Sequence, residues 1–395
     1  MAKILIIHHS GLIGGAGVSL LNIVDLLAPG NELTVAVSSD PVDIQLQLDS
    51  MKDNHGIKVV GYGRRIGALT YYSGGDNFFS ARFLYRGMLI FHQWNYWNML
   101  VKEIDPDIVM VNSVILSWMS QLKEIRKRKS ICFVRETIKG NLTSLPNKII
   151  RNNLTHFDAV TFLTEYDRVS WKFPESQSKV IRDFIDPDTF DQSISRATAT
   201  RVFGLRDNSF HLLYVGGVSS MKGFDLAVKA VLQCKSDVEL IVAGVSFEDR
   251  RKMGGGHLNE YEQEIKDYIE KNDHNNCIHL VGRQMNMSYC YAAADAVVFP
   301  MRSPHQARPA FEAGWYSLPI IIADFDNIQE NVKNGENGVL FQPDDLEELA
   351  IRIDYLATNP TESKRLGLSN QEHTLAYNNK DANNKILQNL ISEML

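Results

Sequence analysis

The sequence predicts an α/β protein of two domains, each built on a doubly wound parallel sheet. Three observations carry this. The chain has 395 residues, and domains commonly take about 100–200 residues each. Strand-length runs of Val, Ile and Leu alternate with stretches of helical spacing, as a sheet covered on both faces requires. The alternation lapses once, over the Ser-, Thr- and Ala-rich segment 191–209, and then begins again.

In the first half, Lys3–Ile7 and Leu33–Val37 read as buried strands, with a glycine-rich turn and Val18–Leu27 at helical spacing between them. Asp107–Val111, Ser130–Val134 and Ala159–Leu163 read as further strands, and Trp118–Lys127 as a helix between the first two of these. Segment 71–100 departs from the pattern. It holds ten aromatic residues, among them Tyr71, Tyr72, Phe78, Phe79, Phe91, Trp94 and Trp97, and predicts one or two helices with a broad apolar face.

In the second half, His211–Val215, Glu239–Ala243, Ile278–Val281, Ala296–Phe299 and Pro319–Ala323 read as strands. Phe224–Leu232, Tyr261–Lys271, Ser288–Ala293 and Ala310–Tyr316 read as helices, and Asn379–Leu395 as a closing amphipathic helix. The predicted organisation is a first domain over 1–190, a linker over 191–209, a second domain over 210–376, and a helix over 377–395 that packs back on the first domain.

Composition is that of a globular chain, 44% hydrophobic and 22% charged. A net charge of −6 is too mild for a nucleic-acid partner. The charge is uneven: residues 1–200 carry 22 Lys and Arg against 20 Asp and Glu, and residues 201–395 carry 19 against 27. Cys132, Cys234, Cys277 and Cys290 form no CxxC pair and read as core thiols of a reducing compartment. The apolar start is too short for a signal peptide, and no stretch reaches the roughly 18 apolar residues of a membrane span. A cytoplasmic location follows as the expectation.

Three loops carry the candidate chemistry. The first is Gly11-Leu-Ile-Gly14-Gly15-Ala16-Gly17, directly after the first strand. Glycines at such a turn let a ligand approach backbone amides and the positive end of the next helix. Tight packing explains such a turn equally well, and the spacing is not the GxGxxG dinucleotide fingerprint. The second is Val215-Gly216-Gly217-Val218-Ser219-Ser220-Met221-Lys222-Gly223. A strand-to-helix loop of a doubly wound domain lies at the ligand-binding edge, where Lys222 can face a diphosphate as a point charge; the alternative is a solvated lysine. The third runs from Pro300 through Arg302, Pro304, His305, Gln306, Ala307, Arg308 and Pro309 to Glu312 and Ala313. Pro309 suits the first turn of a helix, so this loop feeds a helix N-terminus, a ready phosphate seat. Arg308 and His305 add cationic or donor groups. Glu312 is placed to reach ribose hydroxyls, or else to complement the helix dipole.

Taken in order, these segments resemble the retaining glycosyltransferase family four, the glycosyl-transferases group 1 family. Val180-Ile-Arg-Asp183-Phe-Ile-Asp186-Pro-Asp-Thr-Phe190 is similar to its interdomain segment, and Tyr214-Val-Gly-Gly217 with Lys222-Gly223 to its first phosphate loop. Tyr291-Ala-Ala-Ala-Asp295 through Pro300, Phe311-Glu312-Ala313-Gly314, and Asn327 to Glu330 with Gly335 and Gly338 resemble the landmarks that follow.

The resemblance implies the GT-B fold, two Rossmann-like domains facing across a cleft, and sugar transfer from a nucleoside-diphosphate sugar to an acceptor hydroxyl in surface polysaccharide or glycoconjugate assembly. It implies retention of configuration, no metal and no cofactor beyond the nucleotide-sugar co-substrate. It places donor binding on Gly14, Gly15, Gly17, Gly216, Gly217, Lys222, Gln306, Ala307, Arg308, Pro309, Glu312 and Glu330, and catalysis on Lys222, Arg308, His305 and Glu312. Asn112, Arg135 and Glu136 fall on the acceptor side. The Gly14–Gly17 loop would cap the diphosphate from the other domain.

Three positions depart from the family pattern. Its phosphate-loop arginine falls on Gly217, so Arg308 is expected to supply the missing cation. The first of its two glutamates falls on Pro304, with His305 or Gln306 as its replacement. Its His-Asp pair becomes Arg135-Glu136. A GT-B sugar-nucleotide epimerase and a non-catalytic nucleotide- or glycan-binding module are the other readings. The basic run Lys123-Glu-Ile-Arg126-Lys127-Arg128-Lys129, with the aromatic segment 71–100, predicts peripheral contact with anionic membrane at its inner face and a lipid-linked glycan acceptor. A solvated helix end beside a filled core is the other reading of those residues.

Overall fold

The computed structural model describes residues 1–63, 65–73, 75, 77–253, 255–284 and 286–395, with side chains for all of these but 52–55 and 253. The chain divides into two compact units, Met1–Asp183 with Asp381–Leu395, and Phe184–Lys380.

The first unit carries seven strands: β1 Lys3–His8, β2 Glu32–Val37, β3 Lys58–Gly61, β4 Ile108–Asn112, β5 Lys129–Val134, β6 Ala159–Phe162 and β7 Ser178–Val180. All pair in parallel, in the order β3-β2-β1-β4-β5-β6-β7. Alternate residues of a strand face opposite sides of a sheet, and the core follows that rule. Leu5, Ile7, Val109 and Val111 enter one buried layer, and Ile4, Ile6, Ile108 and Met110 the other. The closing helix Lys380–Met394 adds Leu387, Leu390, Ile391 and Met394 to the second layer.

The second unit carries β8 Phe210–Val215, β9 Val238–Ala243, β10 Ile278–Gly282, β11 Ala296–Phe299, β12 Ile320–Ala323 and β13 Val339–Phe341. They pair in parallel as β10-β9-β8-β11-β12-β13. Each sheet therefore grows outward from its first strand on one side and resumes on the other. The reversal falls between β1 and β4, and between β8 and β11. In open parallel sheets ligands bind outside the carboxyl ends of the strands at such a reversal.

The structure differs from the sequence expectation in several places. Trp118–Lys127, expected as a helix, lies in two 3-10 segments, Val114–Gln121 and Ile125–Lys127. Every residue from Val114 to Ser120 is buried, so this run has no polar face to show a period. The break between units comes at Asp183 and Phe184, ahead of the expected linker 191–209. That stretch holds the helix Arg196–Phe203, whose Ser195 hydroxyl accepts from the Thr198 amide and which ends on Gly204 at φ 68°. Its Ser and Thr residues are capping chemistry as well as linker composition.

Within the aromatic segment, one long helix runs over Ala81–Ile104, and Tyr71, Tyr72, Phe78 and Phe79 precede it outside any helix. Only Ile90, Trp97 and Val101 of it are buried, while Leu84, Met88, Phe91 and Met99 are exposed. Among the described residues no helix is long and apolar enough to cross a membrane. Cys132, Cys277 and Cys290 are buried and Cys234 partly so, all unbridged.

Candidate functional site

In the second unit, the sheet reversal brings two of the predicted loops together. Gly216–Gly223 leaves β8, and Pro300–Ala307 leaves β11, its neighbour. Gly223 holds φ 73°, and a Cβ there would stand 1.9 Å from the Pro300 carbonyl oxygen. Only glycine permits that approach. Arg302 fastens the same junction. Its amide donates to the Met221 carbonyl at 3.0 Å, and its Nη1 donates to the Ser220 carbonyl at 3.0 Å. Its two Nη groups donate to the two Asp225 oxygens at 2.7 and 2.8 Å. Burial opposes the Asp225 carboxylate, but hydrogen bonding and the charge of Arg302 hold its pKa below the usual range. Sequence reasoning gave Arg302 no role. Its signal would have been the pair it makes with Asp225, which is not local in sequence.

Lys222 lies in this junction. Its chain crosses Gly216, where a Cβ would meet Lys222 Cδ at 2.9 Å and Tyr214 Oη at 2.6 Å. The ammonium makes no hydrogen bond or ion pair among the described residues. Burial lowers its pKa, Glu312 raises it and Arg250 lowers it. His305 is drawn down to about 4 by burial and by Lys222, so at neutral pH it is an uncharged donor or acceptor. Of the cationic or donor roles expected of it, burial and Lys222 favour the neutral one.

Glu312 and Arg308 are brought together on the helix Arg308–Trp315. Arg308 Nε donates to Glu312 Oε1 at 3.0 Å, and Tyr291 Oη donates to Oε2 at 2.5 Å. Arg308 also lies 5.0 Å from the Phe311 ring. A one-turn ion pair thus occupies the arginine expected to stand in for the missing phosphate cation. Pro309 sits in the first turn as expected, behind Ala307 as cap. The Asn327 side-chain amide donates to the His305 carbonyl at 3.0 Å, tying this loop to the segment after β12 that contains Gln329 and a partly buried Glu330. Gln306 is partly buried in the same loop.

In the first unit, β1 and β4 end in register at His8 and Asn112. Asn112 Nδ2 lies 3.0 Å from His8 Nδ1, and Asn112 Oδ1 accepts from Arg135 Nε at 2.9 Å. Arg135 continues to Asp183 at 3.0 Å, and the Ser19 hydroxyl reaches both Asp183 oxygens at 2.7 Å. Glu136 turns back into the protein. It accepts from the Ser113 hydroxyl, from the Val114 amide at 2.9 Å and from the Arg135 amide at 3.0 Å. Burial raises its pKa against those bonds. The predicted Asn112, Arg135 and Glu136 do converge, and His8 and Asp183 join them unannounced by the sequence. His8 Nε2 is buried without a hydrogen-bond partner.

In the glycine loop, a Cβ on Gly17 would meet the Leu12 carbonyl at 2.9 Å, whereas one on Gly14 would meet nothing within 4 Å. Gly17 serves packing. Gly14 and Gly15 open the helix Gly15–Leu27 with no side-chain cap. Among the described residues no group of three or more His, Cys, Asp or Glu is placed to hold a metal ion.

Against known proteins, the family model described as Glycosyl transferases group 1 matches residues 195–373. The lipopolysaccharide core biosynthesis mannosyltransferase LpsB of Rhizobium meliloti is 30% identical over 175 residues, 43% of this chain and 48% of that protein. A D-inositol 3-phosphate glycosyltransferase of Thermobifida fusca is 25% identical over 251 residues, 60% of this chain and 54% of that one. The chain thus spans about half the length of these curated relatives. The crystal structure of Anabaena HepE in complex with UDP and glucose superposes with a TM-score of 0.77 at 18% identity, over 99% of this chain and all of that one. Residues 195–373 thus match the glycosyl transferases group 1 family model, and the chain carries the GT-B fold.

Proposed function

We propose that this protein transfers a sugar from a nucleoside-diphosphate sugar to an acceptor hydroxyl in glycoconjugate assembly, with retention of configuration and without a metal ion. The observation that carries the reading is Lys222: an ammonium with no hydrogen-bond or ion-pair partner among the described residues, held at the sheet reversal by glycines 216 and 223. A cation left unpaired in such a place is stabilised by an anion brought by the ligand. Relatives support the class of reaction. One is a lipopolysaccharide core mannosyltransferase, and a structural neighbour binds UDP and glucose.

In this reaction the bond between sugar C1 and the phosphate oxygen breaks, and its electrons stay on the diphosphate. The acceptor oxygen bonds to C1 and gives up its proton. The protein's main task is to stabilise charge developing on the departing diphosphate. Lys222 and the amides opening the helix Arg308–Trp315 do so. Glu312, aligned by Arg308 and Tyr291, presents the site's carboxylate to the ribose. Neutral His305 donates to or accepts from the sugar, and Glu330 and Gln306 line the same edge. Asn112, Arg135 and Glu136 shape the acceptor side in the first unit. Lys222→Ala should lower turnover by orders of magnitude while leaving the far-ultraviolet circular dichroism intact. Near-normal release of nucleoside diphosphate would remove the reading. Interconversion of the nucleotide sugar without acceptor would favour the epimerase instead.

The partner surface we infer is an anionic membrane. Leu84, Met88, Phe91 and Met99 are 48, 59, 82 and 70% exposed on one helix face. The neighbouring basic run is tied to that helix by the Glu124 amide, which donates to Asn98 Oδ1 at 3.1 Å. Such a face with flanking Lys and Arg suits an anionic interface and a lipid-linked acceptor. Co-sedimentation with vesicles containing phosphatidylglycerol, and none with phosphatidylcholine alone, is the expected result; no sedimentation with either ends the idea.

A further inference from the structure

We propose that Arg250 is the second cation of the diphosphate subsite, reaching from the helix after β9 into the loop where position 217 cannot carry a side chain. This rests on the donor site assigned above to the second unit.

Position 217 is closed to any side chain. Gly217 holds φ 62°, and a Cβ there would fall 2.3 Å from the Val245 amide nitrogen and 2.6 Å from the Val245 carbonyl oxygen. Gly244 is equally locked, at φ 128°, with a Cβ 2.6 Å from the Gly217 nitrogen. The loops leaving β8 and β9 therefore meet backbone to backbone, knit by Gly217 donating to Ala243 and Val218 donating to Val245, at 2.9 and 2.8 Å. No arginine fits at 217 without separating them.

The same contact delivers a different guanidinium to that loop. The chain runs from Gly244 and Val245 directly into the helix Phe247–Met253, and Arg250 of that helix turns back. Its Nε donates to the Val218 carbonyl at 3.1 Å and stands 3.5 Å from Glu262 Oε1. Its two terminal nitrogens make no hydrogen bond among the described residues, and the side chain is 32% exposed. One end of the guanidinium is thus anchored and the other is uncommitted, the arrangement suited to bidentate capture of phosphate oxygens. Lys222 feels its positive charge, and both cations border the loop that leaves β8. Arg308 is the less accessible candidate, its side chain 9% exposed against 32% for Arg250.

The test is calorimetric titration of wild type, Arg250→Ala, Lys222→Ala and Glu262→Gln with UDP, GDP, ADP and TDP, and with the monophosphate of whichever nucleotide binds. Arg250→Ala should weaken the diphosphate at least about tenfold, as loss of one charge-assisted contact implies, and the monophosphate much less. Glu262→Gln, which keeps the cation, should bind the diphosphate like wild type. If Arg250→Ala binds it normally, or weakens both nucleotides equally, the inference is wrong; a loss in Lys222→Ala alone would then leave the donor site standing. If wild type takes none of the four diphosphates, the donor site and this inference fall together.

Discussion

Tyr214 Oη is buried without a hydrogen-bond partner and lies 2.6 Å from where Gly216 would carry a Cβ. That contact, together with Lys222 Cδ and Tyr214 Cζ at 2.9 Å each, is why the residue beneath Lys222 is a glycine. Gly216→Ala should displace the lysine and lower kcat/KM for the donor by at least tenfold. Tyr214→Phe removes an orphaned oxygen and should leave stability unchanged or raise it by about 1 kcal/mol. The double variant should regain part of the lost activity. No rescue would mean that Lys222, not Tyr214, sets the steric limit.

Arg302 and Asp225 join the segments that follow β8 and β11 by paired hydrogen bonds. Breaking a partly buried ion pair by removing one partner strands the other, at a cost of roughly 2 kcal/mol, below the 3–5 of a fully buried pair. Arg302→Ala should lower the urea midpoint accordingly and raise the KM for the donor. Asp225→Ala should do the same, and the double variant should cost less than the sum of the two. Strict additivity in that cycle would show the pair to be uncoupled.

What the sequence revealed and what it hid divide along physical lines. Interior strands such as β1, β4, β8 and β11 are buried along almost their whole length, so their apolar runs stand out. Those missed, β3, β7 and β13, are all edge strands. β7 and β13 have three residues each, and β3 has no fully buried residue. The phosphate loops were legible because glycine spacing after an apolar run is local. The Arg302–Asp225, Arg135–Asp183 and Arg250–Val218 links were not, since each joins residues from separate elements. Glu312 was legible as a candidate, but its pairing with Arg308 was not recognised, although the two stand four apart on one helix face.

Arg135 and Asp183, with side chains 6% and 13% exposed, hold together the polar cluster beside His8 and Asn112 in the first unit. Asp183→Asn leaves the guanidinium buried against a neutral partner and should cost about 3 kcal/mol, read as a lower melting temperature. Ser19→Ala, which removes only a hydroxyl donor, should cost about 1 kcal/mol. A larger loss from Ser19→Ala than from Asp183→Asn would overturn the ranking of charge over hydroxyl in this cluster.

His8, His9 and His305 predict how stability responds to acid. Burial draws His8 well below its ordinary pKa and takes His9 and His305 to about 4. All three stay neutral in the folded chain at a pH where the unfolded chain, with histidines near 6.5, already binds protons. Stability must then fall as pH drops from about 6.5, at up to about 1.4 kcal/mol per pH unit for each histidine, and the share of His9 and His305 levels off near 4. Glu136 acts in the opposite sense, because its raised pKa favours the folded state once it is protonated. Asp225 and Glu239, the latter held to about 2, weaken the fold only at lower pH. Urea midpoints at pH 7.5, 6.5, 5.5 and 4.5 should therefore decline, and His305→Asn should decline less steeply. An equal slope in that variant would mean that His305 titrates in the folded protein as it does in water, and that Lys222 does not lie close enough to suppress its protonation.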